Sequence, residues 1–333
     1  MSTKYVLGID IGGTETKIGV VKYDTSTKSY ALQECFILTT VKGNVGLTIE
    51  NIRRTVNEIR SRYGKLTHCG VGVAALINFR DGVVVNGPNL GWVNINLRSK
   101  LEQELKLNVI IDNDANLSTL AIYHHEVKKK YKKVDSMVCL TLGTGIGGGI
   151  ILNGDLFHGN PYSAAELGHI TMNIDGGICG CGNTGCIERY VGARWFIAEI
   201  IKELKIDKPK TVIYELVENN LNNLTPKILY LAAEKGDKYA LVQWQLYGKL
   251  LGIAISTLVN IFSPEVIAFT GGVSLAHKYF LPYLKKEVER RVWPVLRKKN
   301  NPSPLIKDLK YHIAAGQNYG VLGAGILAVR TFL

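Results

Sequence analysis

Two glycine-rich turns, a pair of acids at the end of an apolar run and a cysteine–histidine cluster are the parts of this sequence that could do chemistry. The first turn lies in Gly8-Ile9-Asp10-Ile11-Gly12-Gly13-Thr14 and the second in Gly143-Thr144-Gly145-Ile146-Gly147-Gly148; a third glycine pair is Gly271-Gly272. Glycine at such turns lets backbone N–H groups approach an anion closely and point at it, as a phosphate nest requires. Gly143, Gly145 and Gly148 also satisfy the G-x-G-x-x-G spacing of dinucleotide-binding folds. That fingerprint needs a helix after it. Here Gly149-Ile150-Ile151-Leu152-Asn153-Gly154 follows, which reads as a strand and a tight turn,. No G-x-x-x-x-G-K-[ST] run occurs. Asp10 stands just ahead of the first turn. A carboxylate beside a phosphate nest repels the phosphate unless a cation intervenes, and Mg²⁺ fits that need. The alternative is an aspartate that caps its own turn.

Val109-Ile110-Ile111 then delivers Asp112-Asn113-Asp114 to the end of a short buried strand. Ligands of open α/β sheets bind at such carboxyl ends. Phosphoryl transfer to an alcohol needs a carboxylate to take the hydroxyl proton, and Asp114 is the candidate base. One of Asp112, Asn113 and Asp114 could equally serve as the N-cap of the helix that begins near Ala115. Further on, His169, Cys179, Cys181 and Cys186 supply one imidazole and three thiols. That set suits a closed, tetrahedral, structural zinc site. Buried free thiols are the alternative. Cys35, Cys69 and Cys139 stand alone in strand-like contexts and read as buried thiols. Glu166 and Glu188 flank the cluster and could face one ligand.

The elements that position these residues follow from periodicity. Alternation predicts strands over Tyr5 to Ile11, Lys17 to Tyr23 and Tyr30 to Leu38, with further strands over Cys69 to Ile77 and Val109 to Ile111,. Helical spacing predicts helices over Val45 to Tyr63 and Leu97 to Leu107. The second half repeats the plan of strand, glycine turn and strand from Ser136 to Leu152, which suggests an internal duplication. A loop-rich stretch over Asp155 to Gly185 precedes mostly helical sequence, with a long helix over Lys238 to Phe262, a strand over Val266 to Phe269 and a last helix over Tyr319 to Val329. The 333 residues suggest two domains,. No stretch of about 18 apolar residues runs uninterrupted by charge, and the N-terminus lacks signal-peptide architecture, so a cytoplasmic protein without a membrane partner is expected. The net charge of +12 comes with dense runs at Lys128-Lys129-Lys130-Tyr131-Lys132-Lys133 and Arg297-Lys298-Lys299. Neither is interleaved with aromatics as a single-strand nucleic-acid surface would be. They read as solvated lysines around a phosphate-handling protein.

Assembled, these stretches resemble the ROK family of sugar kinases and repressors across nearly the whole chain. The resemblance rests on Gly8 to Thr14, Asn113-Asp114-Ala115-Asn116, Leu142 to Gly149, Glu166-Leu167-Gly168-His169 and Cys179 to Glu188. The last is highly specific, whereas the glycine stretches are shared with the wider actin and hexokinase superfamily. The resemblance implies an α/β, actin-like ATPase fold of two domains with an intervening cleft. The expected division is 1–121 and 122–317, with the zinc segment 169–186 in the second and the last helix, about 318–333, packed back on the first. It implies ATP, Mg²⁺ and a hexose acceptor, with glucose first. It assigns Asp114 as base and Asn89, Asn113, Asp114, Glu166, His169 and Glu188 as sugar contacts. Asp10, Gly12, Gly13, Thr14, Lys17, Gly143, Thr144, Gly145, Gly147, Gly271 and Gly272 fall to the nucleotide. His169 is expected both to bind zinc and to touch the sugar. A homodimer or homotetramer is expected.

Three departures from the family pattern stand out. Ala75-Leu76 replaces the usual Pro-Gly, the sequence after Asn116 runs through Leu117-Ser118-Thr119-Leu120, and Lys128 to Lys133 extend the following loop. They bear on the exact sugar and on oligomeric contacts. Rival readings are a kinase for N-acetylmannosamine, N-acetylglucosamine or fructose, and a polyphosphate-using glucokinase. A DNA-binding repressor is more remote, because the first strand begins within a few residues of Met1 and leaves no room for a helix-turn-helix ahead of it.

Overall fold

A computed structural model of the chain describes residues 3–160, 164–293 and 303–333. The basic run Arg297-Lys298-Lys299 lies outside the described residues. The polypeptide divides into two compact units. One comprises residues 1–135, 149–165 and 316–333, and the other residues 136–148 and 166–315.

The first unit is built on β1 (Thr3–Ile11), β2 (Glu15–Asp24), β3 (Ser29–Thr39), β4 (His68–Val73) and β8 (Asn108–Asn113), in the order β3-β2-β1-β4-β8. β1 pairs antiparallel with β2 and parallel with β4, and β4 pairs parallel with β8. Period-two alternation assigns the two faces of this sheet. Leu7, Ile9 and Ile11 of β1 and Cys69, Val71 and Val73 of β4 enter one buried core with Ile49, Ile52, Val56 and Ile59. Those four are one stripe of α1 (Val45–Tyr63), spaced as an amphipathic helix requires,. The Asn44 side chain starts α1 by accepting from Leu47 N at 2.9 Å, a cap worth about 1 kcal/mol.

The opposite face carries Gly8, Asp10, Gly70 and Gly72, and the closing helix Tyr319–Phe332 lies on it. Contact there is at backbone distance. A Cβ on Gly8 would sit 2.0 Å from Val321 O, and one on Gly70 1.8 Å from Ala324 O. The helix α3 (Asp114–Ile122) packs beside the closing helix just as tightly, since a Cβ on Gly323 would lie 1.8 Å from Leu117 O. Side chains at these three positions would push the helices off the sheet.

The stretch read from sequence as one strand, Cys69 to Ile77, is two. β4 ends at Val73, the chain bends at Ala74-Ala75, and β5 (Leu76–Asn78) starts a separate antiparallel sheet with β6 (Val83–Gly87) and β7 (Trp92–Asn96). Ala74 N still bonds Ile11 O while Ala75 N turns back to Val73 O, and that turn takes the chain out of the first sheet. α2 (Leu97–Leu105) follows β7 and buries Leu97, Leu101 and Leu105.

A second five-stranded sheet has the order β11-β10-β9-β12-β13. Its strands are β9 (Met137–Leu142), β10 (Ile146–Leu152), β11 (Asp155–Leu156), β12 (Val266–Thr270) and β13 (Lys310–Ile313). Read from β11 onward it repeats the order of the first sheet, including its parallel pairs, β12 with β9 and with β13. The unit boundary falls within β10. The second unit buries an aromatic cluster of Phe196, Trp244, Tyr247, Phe269 and Phe280. Helix Lys238–Phe262 is long and apolar enough by composition to cross a membrane. Its Trp244, Tyr247, Leu251, Ile255 and Leu258 are buried in this protein core. The lysines Lys128–Lys130 form a short exposed helical turn, with Lys128 Nζ over the Tyr123 ring at 5.3 Å.

Candidate active site

In the first unit the sheet itself delivers the site. Asp10, near the end of β1, shares the sheet face of Gly8, so its carboxylate projects to the first turn of the closing helix. There Gly320 makes room: a Cβ on it would lie 2.3 Å from Asp10 Oδ2. Lys17 is the cross-strand partner of Asp10 in the β1–β2 register, so the two side chains share that face. Gly72 of β4 separates Asp10 from Asp114. A Cβ there would stand 3.5 Å from Asp10 Oδ1 and 3.7 Å from Asp114 Cα. The Asp10 carboxylate and the main chain of Asp114 thus lie on either side of one glycine.

The ambiguity over which residue caps α3 resolves on Asn113. Its Oδ1 accepts from Ala115 N at 2.8 Å and Asn116 N at 3.2 Å, and its Nδ2 donates to Ala75 O at 3.2 Å. Asp114 is therefore the first residue of the helix rather than its cap. It is half-buried, and one of its oxygens accepts from Ala115 N at 3.0 Å. Asp112 is buried and faces inward, where His158, Asn116 and Asn113 surround it.

The first glycine turn lies beside these acids. Gly12 N closes it by bonding Glu15 O at 2.9 Å. The N–H groups of Gly13 and Thr14 have no partner among the described residues and remain available to an anion. Asn89 packs against the turn, with its Cβ 3.0 Å from where a Cβ on Gly13 would be. Thr40 N anchors the far side on Thr14 O.

The second unit repeats the device. Gly143 N bonds Gly145 O at 3.1 Å, and Thr141 Oγ1 accepts from Gly147 N at 3.0 Å. Gly143 O and Thr144 O accept from Ala193 N and Arg194 N at the start of helix Ala193–Asp207. The N–H groups of Thr144 and Gly145 have no partner among the described residues. A strand follows the turn, not a helix, so the dinucleotide fingerprint lacks the element it needs. Gly271, at φ 91°, packs under the entry to this turn, because a Cβ on it would lie 2.5 Å from Leu142 O. Gly272 faces open space.

The ligand atoms of His169, Cys179, Cys181 and Cys186 all lie within 4.8 Å of one another. His169 Nδ1 is 3.7 Å from Cys179 Sγ, and Cys181 Sγ is 3.7 Å from Cys186 Sγ. Tetrahedral zinc with Zn–S bonds of about 2.3 Å makes sulfur–sulfur edges of about 3.8 Å, so the donors stand at the spacing such an ion needs. Two bridges, Thr171 with Cys186 and Ile178 with Thr184, and the bond from Cys179 N to Asn183 O hold the knuckle. Burial, reinforced by the neighbouring thiols, pushes the Cys186 thiol up to about 12; a cation is what would draw off its proton. The other ring nitrogen of His169 faces Glu166, with Nε2 and Oε2 4.0 Å apart.

Glu188 is more engaged than the sequence suggests. Its Oε2 accepts from Ile146 N at 2.9 Å, and its Oε1 lies 3.7 Å from Cys179 Sγ. It ties the second glycine turn to the cysteine knuckle. A Cβ on Gly145 would come within 2.3 Å of Glu188 Oε2, so any other residue there would displace that carboxylate. The structure thus groups Asp10, Lys17, Gly12, Gly13, Thr14, Asn89, Asn113 and Asp114 in the first unit. It groups the remaining site residues in the second. Sequence reasoning missed Gly72, Thr141 and His158, none of which belongs to a recognisable motif.

Burial raises the Asp10 carboxyl to about 6, and Lys17 opposes that only partly. An acid whose pKa folding raises from 3.8 to about 6 costs the fold stability as pH climbs from the first value to the second, and the full cost stands above it,. Asp10→Asn is therefore expected to stabilise the protein at pH 7.5 by on the order of 2 kcal/mol, with no gain at pH 4. Denaturation curves of both proteins at the two pH values check this, and an equal effect at both would refute the buried-charge account.

The chain matches the ROK family over residues 6–331. It is 33% identical over 333 residues to a glucokinase of Halalkalibacterium halodurans, covering 98% of this chain and 96% of that protein. A Thermotoga maritima glucokinase is 30% identical, with 96% and 95% covered. A xylose repressor of Caldicellulosiruptor bescii is 31% identical over 74% of this chain and 60% of the repressor. The structure of a ROK family glucokinase from Streptomyces griseus in complex with glucose and AMPPNP superposes with a TM-score of 0.78 at 27% identity, covering 98% of this chain and 100% of that one. On the glycine turns, the Asn113-Asp114 corner, the cysteine knuckle and this full-length match, the chain belongs to the ROK family.

Proposed function

We propose that this protein is an ATP-dependent hexose kinase that transfers the γ-phosphoryl group to the 6-hydroxyl of glucose. The observation that carries the reading is the placing of the Asp10 carboxylate and the main chain of Asp114 on either side of Gly72, at the end of a sheet whose first turn leaves the Gly13 and Thr14 N–H groups unpartnered among the described residues. The full-length likeness to glucokinases supports it. The repressors are matched over a smaller share of their length, 55–67%.

Asp114 accepts the proton of the attacking hydroxyl as the hydroxyl oxygen bonds to the γ-phosphorus and the bond from that phosphorus to the β–γ bridging oxygen breaks, leaving ADP. Asn113 keeps that carboxylate at the helix start by capping the helix itself. The unpartnered N–H groups of Gly13, Thr14, Thr144 and Gly145 and the Lys17 ammonium hold the donor, while Gly12, Gly143, Gly147, Gly271 and Gly272 shape the turns that present them,. Asp10 is the residue that would hold Mg²⁺, whose charge offsets that of the phosphates. Asn89, Glu166, His169 and Glu188 complete the sugar contacts. His169, Cys179, Cys181 and Cys186 would hold a structural zinc that stiffens the segment carrying the two glutamates. The reading includes a cytoplasmic homodimer or homotetramer with no nucleic-acid or membrane partner.

ADP release measured over a panel of glucose, N-acetylmannosamine, N-acetylglucosamine and fructose is expected to depend on glucose and ATP. Activity with polyphosphate in place of ATP would replace the donor, and activity with another sugar would replace the acceptor. Turnover with none of them would remove the kinase reading. Metal analysis should find about one zinc per chain, and chelation should lower the melting temperature by on the order of 10 °C. A metal-free protein of equal stability would contradict the zinc site.

A further inference from the structure

Asp112 is 1% exposed at the end of β8. A buried carboxylate survives only with several donors around it. Asp112 has three. Its Oδ1 accepts from Asn113 N at 2.7 Å and from Asn116 Nδ2 at 3.0 Å, and its Oδ2 meets His158 Nε2 at 2.7 Å. The first two donors lie on either side of Asp114. The Asn116 amide oxygen has no partner among the described residues, so Asp112 alone orients that buried side chain.

His158 arrives from 46 residues away in sequence. Its ring stacks on Phe79 at 4.0 Å with 20° between planes, and the main chain around Phe79 is fixed in turn by Arg98, whose guanidinium donates to Phe79 O and Arg80 O. Its own carbonyl accepts from Ala164 N at 2.9 Å. The imidazole is thus held in plane before it reaches the carboxylate. For Nε2 to donate, the proton must sit on that nitrogen.

We propose that His158 is a positioning residue for the phosphoryl acceptor site. By donating to Asp112 it fixes the carboxylate that brackets Asn113 and Asp114, and so fixes the direction in which the base presents its oxygens. This rests on the kinase reading above. The chemistry requires it because a displacement of about 1 Å at a reacting group costs about 10²-fold in rate. A stacking role alone would be met equally by any aromatic ring at this position.

The test compares His158→Phe, which keeps the stack and loses the donor, with His158→Gln, which restores an N–H donor. Steady-state kinetics are measured with glucose and ATP, beside thermal melts. His158→Phe should lower kcat by roughly 10- to 100-fold with the KM for ATP within twofold of wild type, and His158→Gln should recover most of the loss. Should the phenylalanine variant aggregate, His158→Leu provides the donor-free comparison. A kcat within twofold of wild type, a KM for ATP that rises in step with the loss, or a glutamine variant no better than phenylalanine would overturn the proposal. A wild-type protein inactive on every sugar would instead overturn the kinase reading, so the two failures are distinct.

Discussion

The organisation of the first unit depends on one constraint, the close seating of the closing helix on the glycine-bearing face of β1 and β4. Gly8 and Gly70 bring backbone against backbone at separations no side chain allows. Asp10 comes two residues after Gly8 and must share its face. It is therefore driven into a partly buried place beside the helix start, where desolvation raises its pKa to about 6. Gly72 bears the same relation to Gly70 and leaves the gap between the Asp10 carboxylate and the main chain of Asp114. Packing and chemistry are thus set by the same alternation. A stable fold would prefer a neutral residue at Asp10, so the acid stands there at a cost in stability,.

The second unit uses the same strand order for a different purpose. Its glycine turn is braced from three sides: by Thr141 from its own strand, by the start of helix Ala193–Asp207, and by Glu188. Glu188 also touches Cys179. Loss of order in the cysteine knuckle would therefore reach a turn that is distant in sequence. The knuckle has little hydrophobic core of its own, and Ile174 and Ile178 within it are exposed. Its order has to come from hydrogen bonds and from the donor set.

Much of this is legible in the residues. The bounds of Val45–Tyr63 and Lys238–Phe262 follow from helical period and from their caps, Asn44 and Asp237. The strand after Gly148 follows from its β-branched run. The cluster of His169 with three cysteines follows from residue type alone. What stays hidden depends on distance. The split of Cys69 to Ile77 into two sheets is invisible because Ala74-Ala75 carries no turn signal. Nothing local in Asp112-Asn113-Asp114 tells cap from base, since all three residue types cap helices. The partner that separates them, His158, is a single histidine in a loop. The importance of Gly72 lies entirely in what stands on either side of it.

The central claim is that Asp114, freed from capping by Asn113, takes the proton from the acceptor hydroxyl. The most direct test is the turnover of Asp114→Ala with glucose and ATP, read beside glucose binding to the same variant. The account predicts a folded protein that still binds glucose while kcat falls by several orders of magnitude, at least the roughly 10²–10⁴-fold owed to a general base. A near-normal kcat would contradict it.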